Sequence, residues 1–282
     1  MKLGFTEFSY GYAFTENLIR SSASGPSNAP VFPNLVQEAQ LGYDVRIDAP
    51  GAPLFFQFKL PELMVRNSAK ELAMRGVTGL SVPFFRMPLM RRDLSNQHQH
   101  LINLETRFPG RVLYASPILD SAAAFNRSYS RASVHRDSAL FSPADIGPLP
   151  DNESHVVSYM ALSAVAWRCS EPKKVPVRKY GGLVEEIAGL LQERSKQTLE
   201  DTVRELQEGV GPLIPAELRQ TEDEIRDRIN ARRVVVDGTG RDGRAQQLTT
   251  ELLVMRELVR VGLGVDLLVA QPRDPKKAKK KP

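Results

Sequence analysis

Apolar and polar positions in the first sixty residues follow two different periods. Residues 10–20 place Phe14 and Leu18 on one side, which is the spacing of an amphipathic helix. Residues 43–47 alternate apolar and polar side chains, and residues 54–60 are rich in aromatic side chains and end at a proline. Because the segment between them is rich in Pro and Gly, we expect the two strands to form an antiparallel hairpin.

The middle of the chain mixes helical and extended patterns. Residues 82–92 are basic and apolar and contain prolines, which predicts a loop, and the long apolar stretch 155–169 predicts a buried helix. The other elements predicted in this region are a helical turn at 68–75, helices at 96–107 and 121–129, and strands at 111–116 and from 140. This order of elements predicts an α/β core, with α+β as the alternative.

Charged helix-forming residues dominate the chain after residue 183. The pattern predicts amphipathic helices over 183–207 and 215–233. A strand at 233–237, a helix at 245–261 and a strand at 265–270 then have the form of a βαβ unit.

We therefore expect three regions along the chain. Residues 1–178 form the α/β core, and residues 179–270 form a C-terminal region that is helical and then βαβ. Residues 271–282 form a disordered basic tail, because they contain six Lys or Arg and one Asp and so carry the whole net charge of +5.

The composition and the N-terminal residues indicate in which compartment of the cell the protein is expected. The chain has 282 residues and no apolar run of the roughly 18 residues that a membrane helix needs, so we expect no membrane association. Glu7 falls where a signal peptide would be apolar, and the single Cys169 forms no internal disulfide. Both observations favour a cytoplasmic protein.

Three polar residues of the predicted hairpin form the sharpest chemical pattern. Asp44 lies on the first strand, while Gln57 and Lys59 are two apart on the second and therefore share a face. A carboxylate and an amide oxygen suit Mg²⁺ or Mn²⁺, and a neighbouring ammonium can orient a metal-bound water. A solvated polar face is the alternative interpretation of the same residues.

With this pattern, the chain resembles the PD-(D/E)XK restriction-endonuclease-like superfamily over about residues 10–120. The resemblance implies a core of helix, three-stranded meander, helix and strand, in which Asp44 and Gln57 bind the metal and Lys59 activates water, so that these three are the catalytic residues. Glu16 on the preceding helix matches an additional metal-binding acid of some members. Gln57 replaces the usual acid, which lowers the negative charge of the site.

We expect from this resemblance a metal-dependent nuclease that hydrolyses phosphodiester bonds, with DNA as the expected polymer and bacterial antiviral defence as the setting. Arg86, Arg91 and Arg92 lie in a basic part of the chain and are candidates for contacts with phosphates. His98 and His100 are two apart, so a helix directs them to different sides, and we expect both at the surface.

Two other functions stay open. The first is a noncatalytic nuclease-fold subunit of a larger assembly, in which the helices of residues 183–233 bind a protein partner or a second copy of the chain. The second is nucleotide binding by the glycine-rich segment Gly238–Gly243, which lies between a predicted strand and a predicted helix.

Overall fold

The structure is a computed structural model that describes residues 2–21, 47–232 and 241–272. Several predicted features lie outside these residues. They are Asp44 with most of its strand, the strand at 233–237, the glycines of segment 238–243 that precede residue 241, and the tail from residue 273.

The described residues combine helices and strands, which confirms the α/β class. The helices are α1 (Glu7–Ser21), α2 (Gln97–Arg107), α3 (Ala122–Ser130), α4 (Pro143–Ile146), α5 (Tyr180–Glu193), α6 (Leu199–Val210), α7 (Ala216–Gln220), α8 (Glu222–Arg232) and α9 (Arg241–Gly262). The strands are β1 (Ala52–Phe58), β2 (Glu62–Met64), β3 (Phe84–Pro88), β4 (Val112–Pro117), β5 (Ser138–Phe141), β6 (Val156–Tyr159), β7 (Val165–Arg168), β8 (Lys173–Pro176) and β9 (Asp266–Ala270). Within the described residues, no helix has the length and apolar character needed to cross a membrane.

The chain divides into two compact units. Among the described residues, the first contains 2–18 and 56–184, and the second contains 19–21, 47–55, 185–232 and 241–272. Strand β1 passes from the second unit into the first. The proposed boundary at residue 178 stays a prediction, and residues 19–21 and 47–55 group with the C-terminal part of the chain.

The first unit contains an antiparallel sheet in the order β2-β3-β6-β7-β8. It also contains the strands β5, β4 and the end of β1, which are neighbours in that order in a second sheet. The Tyr159 hydroxyl of β6 lies 2.8 Å from Ser116 Oγ of β4. This hydrogen bond joins the two sheets inside the unit.

Aromatic side chains join α1 to the end of β1. The ring of Phe14 lies 5.1 Å from that of Phe56 and 5.3 Å from that of Phe58. Gly11 permits the close approach, because a Cβ at this position would lie 2.8 Å from a ring carbon of Phe58. Burial of these rings is the main source of stability for this contact.

The prediction of a buried helix over 155–169 is wrong, since this stretch forms β6 and β7 joined by a short turn. Its valines, Tyr159 and Trp167 favour extended backbone, and a continuous apolar run does not distinguish a buried helix from two buried strands. The loop predicted over 82–92 likewise contains β3, which pairs with both β2 and β6.

The second unit is built around α6. Thr198 and Asp201 form a capping box at its start, so the helix predicted over 183–207 is two helices, α5 and α6. Leu199 and Val203 pack with Leu248 of α9. In this unit β9 is the neighbour of β1 in the sheet, and it confirms the strand predicted at 265–270.

Buried His135 makes the first unit sensitive to acid. Burial and, to a smaller extent, Arg136 lower the pKa of His135 to about 4, from an ordinary value of 6.5. The unfolded chain therefore binds a proton at this position at a higher pH than the folded chain does. The contribution of neutral His135 to the free energy of unfolding is therefore fully present above pH 6.5 and is lost as the pH falls towards 4.

We predict that replacing this histidine reduces the loss of stability in acid. Between pH 7 and pH 4.5, the free energy of unfolding of His135→Gln should fall by about 2 kcal/mol less than that of the unmodified protein. Urea unfolding at a series of pH values measures this difference. His100→Gln, at a partly exposed position, is the matched control, and equal slopes for all three proteins would contradict the prediction.

Candidate active site

Lys59 lies immediately after β1, and both its backbone N–H and its backbone carbonyl form hydrogen bonds with residues of β4. The Lys59 N–H donates to the Ala115 carbonyl at 2.9 Å, and the Lys59 carbonyl accepts the Ser116 hydroxyl at 2.9 Å. The residue is 9% exposed. A buried ammonium with a fixed backbone is costly unless its nitrogen finds a partner.

Alternation along β1 places Phe56 and Phe58 on one face and Gln57 and Lys59 on the other. Phe56 and Phe58 pack on α1, so Gln57 and Lys59 project from the opposite face, as the sequence predicted for this pair. Gln57 is also buried. The two functional groups therefore enter the same interior region.

Gln97, the first residue of α2, joins the pair. Its Nε2 donates to Gln57 Oε1 at 3.0 Å, and its Oε1 accepts a hydrogen bond from Lys59 Nζ at 3.3 Å. Gln57 Nε2 donates in turn to the Phe58 carbonyl at 3.1 Å. We call Gln57, Lys59 and Gln97 the polar triad. Gln97 was not predicted from the sequence, because only the fold brings the start of α2 to the end of β1.

Burial lowers the pKa of Lys59, because an ammonium loses hydration inside the protein. The Glu7 carboxylate acts in the opposite direction, and it accepts the N–H of Leu60 at 3.2 Å. The outcome is a lysine that releases its proton more readily than an exposed one does. Such a group suits proton transfer or stabilisation of a developing negative charge.

Glu16 has partners other than the polar triad. It is buried on α1, where Asn17 Nδ2 donates to its Oε2 at 3.3 Å. The Tyr129 hydroxyl of α3 also donates to this carboxylate, which raises the pKa of Tyr129 to about 12. The structure thus places Glu16 with α3, whereas the polar triad contacts α2.

The three predicted phosphate-binding arginines differ in their surroundings. Arg86 of β3 donates to the fully buried carboxylate of Glu71 at 2.6 Å, so much of its charge is balanced inside the protein. Arg91 is exposed and pairs with Asp93 at 2.7 Å. Arg92 is also exposed, and its Nε donates to Asn152 at 3.0 Å.

His98 is buried, contrary to the prediction of a surface position. Its Nε2 lies 2.9 Å from the Gly147 carbonyl, so this nitrogen carries the proton, and its Nδ1 accepts from the Tyr114 hydroxyl at 2.9 Å. Burial lowers the pKa of His98. Both ring nitrogens are used by the fold, which gives this histidine a structural role.

Metal ligands are sparse in the part of the chain that the structure describes. No group of three or more His, Cys, Asp or Glu side chains there is arranged to hold a metal ion. Gln57 Oε1 is compatible with a metal, because an amide oxygen has a second lone pair beside the one that Gln97 occupies. The carboxylate expected to complete the pair, that of Asp44, lies outside the described residues.

Comparisons of the chain with protein-family models, with curated proteins and with solved structures found no match.

We predict that Gln97→Ala destabilises the first unit by about 1–3 kcal/mol. The substitution leaves Gln57 Oε1 and Lys59 Nζ without their shared partner, and a buried polar group without a hydrogen bond costs about this much. Urea unfolding at neutral pH measures the effect. Gln99→Ala, at an exposed position of the same helix, should change the stability by less than about 0.5 kcal/mol. Equal stability of the two variants would contradict the importance of the polar triad.

Proposed function

We propose that the chain is a metal-dependent nuclease in which Lys59 and Gln57 belong to the catalytic centre. The observation that carries the proposal is the buried Lys59 beside Gln57, with a pKa lowered by burial. A surface lysine stays hydrated and keeps its ordinary pKa, so this environment favours a chemical role over a solvated polar face.

The order of elements around the pair also supports the proposal. Helix α1 precedes β1, α2 follows, and β4 then lies beside β1. The restriction-endonuclease-like resemblance implies a helix, a three-stranded meander, a helix and a strand. The helices and the final strand follow this order, whereas the meander differs, because β1 and β2 lie in different sheets and the neighbours of β1 are β4 and β9.

The residues of the polar triad have separate roles in this proposal. Gln57 Oε1, together with Asp44, would hold a divalent cation such as Mg²⁺ or Mn²⁺, and Glu16 is left out because it contacts Tyr129. Such a cation supplies Lewis acidity and lowers the pKa of bound water. Lys59 Nζ orients the attacking water and accepts or returns a proton, and Gln97 holds both side chains in place.

Cleavage assays test the proposal directly. We expect Mg²⁺- or Mn²⁺-dependent hydrolysis of DNA, with single-stranded DNA, plasmid and RNA tested in parallel and EDTA abolishing the reaction. Lys59→Ala should reduce the cleavage rate by roughly 100-fold or more, which is the usual contribution of a group that transfers a proton. Lys70→Ala, at an exposed position, should cleave at the unmodified rate.

The fold of each variant is checked by its melting temperature, and Lys59→Gln replaces Lys59→Ala where the smaller side chain prevents folding. Cleavage that is unchanged in a folded Lys59 variant would contradict the assigned centre. Cleavage that persists in EDTA would contradict the metal requirement.

A noncatalytic nuclease-fold subunit is the second candidate, and the hydrogen bonding within the polar triad favours it. Gln97 bonds to both Gln57 and Lys59 without a ligand, and Gln57 also bonds to the Phe58 carbonyl, as residues of a structural network would. This candidate predicts no cleavage of any substrate and a molecular mass that increases with concentration or with a partner bound to residues 183–233. A constant monomer mass over a wide concentration range would contradict self-association.

A further inference from the structure

A cavity of about 220 Å³ lies in the first unit, between residues 78–80 and the turn that joins β6 to β7. Its walls are apolar at Leu80, Met160, Val165 and Trp167, and its charged lining residue is Lys174. None of the described residues that line it is acidic. None of these residues contacts the polar triad in the hydrogen bonds described above.

Strand pairing in the sheet brings the Trp167 ring and the Lys174 ammonium to the same side of the cavity. Trp167 of β7 and Lys174 of β8 are directly opposite in the antiparallel register, so both side chains project from the same face. Lys174 Nζ lies 5.7 Å from the centre of the Trp167 ring, within the range of a cation–π contact. Trp167 Nε1 donates to the Thr78 carbonyl at 3.1 Å, which fixes the plane of the ring.

The size and lining of the cavity restrict its ligand. A volume of about 220 Å³ is several times that of one water and smaller than the roughly 300–1,000 Å³ of sites for drug-sized molecules. It suits a single flat ring system. No heavy atom lies within 4 Å of the position that a Cβ at Gly79 would occupy. A ligand can therefore approach the backbone of Gly79 in this wall of the cavity.

We propose that this cavity binds one unstacked nucleotide, with its base against Trp167 and its phosphate at Lys174. The choice of a nucleotide among flat ligands that carry an anion rests on the proposed nuclease function. Single-stranded nucleic acids are held in this way, by stacking of bases on aromatic side chains and by cations that follow the phosphates. The ammonium of Lys174 is on a flexible stem and reaches a phosphate beside the ring without movement of the sheet.

Trp167 is the single tryptophan of the chain, so tryptophan fluorescence reports on the residue that forms the aromatic wall of this cavity. The experiment titrates the full chain in EDTA, which prevents metal-dependent cleavage, with a thymidine oligonucleotide and with an abasic strand of the same length. We expect the thymidine strand to quench Trp167 and to bind roughly 5- to 100-fold more tightly than the abasic strand. Equal affinities, or binding without a change in fluorescence, would overturn the proposal.

Thymidine 5′-monophosphate and a duplex of the same sequence distinguish the sources of the ligand. Quenching by the monophosphate as strong as that by the strand, at equal base concentration, assigns the cavity to free nucleotides. Stronger quenching by the strand assigns it to single-stranded nucleic acid. Quenching by the duplex equal to that by the single strand would overturn the proposal, because paired bases are not available to the ring.

Lys174→Gln and Lys173→Gln form a matched pair, since the two lysines are adjacent on β8 and project from opposite faces of the strand. Lys174→Gln should reduce the slope of log affinity against log salt by about 0.7, the value for one phosphate contact with a single strand, and Lys173→Gln should reduce it less. Equal reductions would contradict the assigned role of Lys174.

The binding and the cleavage experiments can contradict the two proposals separately. Quenching with base-dependent affinity but no cleavage under any metal condition contradicts the nuclease proposal and leaves the nucleotide cavity standing. Cleavage without quenching leaves the nuclease proposal standing and overturns the cavity assignment.

Discussion

The burial of one ammonium group at the end of β1 constrains the centre of the first unit. An isolated charge inside a protein is strongly unfavourable, so Lys59 requires both a partner and a lower pKa. Gln97 supplies the partner, and it does so only if α2 begins beside the end of β1. The position of α2 is thus coupled to the chemistry of the lysine.

The same constraint extends outward through hydrogen bonds. The Lys59 carbonyl accepts from Ser116, and Ser116 accepts from Tyr159 of the five-stranded sheet. On the other face of β1, Phe14 packs on Phe56 and Phe58. Apolar packing on one face and polar contacts on the other fix the direction of the Lys59 side chain. Preorganisation of this kind is what a catalytic group needs.

Local patterns in the sequence predict much of this unit. The two-residue period places Gln57 and Lys59 on one face, and α2, α3 and β4 lie close to their predicted ranges. Contacts between distant segments were not predictable in this way. The pairing of Gln97 with the strand, the burial of His98 and the contact of Glu16 with Tyr129 all depend on how helices pack. The β6–β7 hairpin was missed because a buried strand pair and a buried helix have the same apolar composition.

A measured pKa of Lys59 would show whether its ammonium is buried as the structure has it. Heteronuclear NMR of the lysine side chains across a pH titration, with Lys59 assigned from the spectrum of Lys59→Arg, gives this value. We predict a midpoint for Lys59 below the ordinary value of 10.5. A midpoint at the ordinary value would mean that the Lys59 ammonium is as well hydrated as an exposed one, which would contradict the proposal of a buried catalytic lysine.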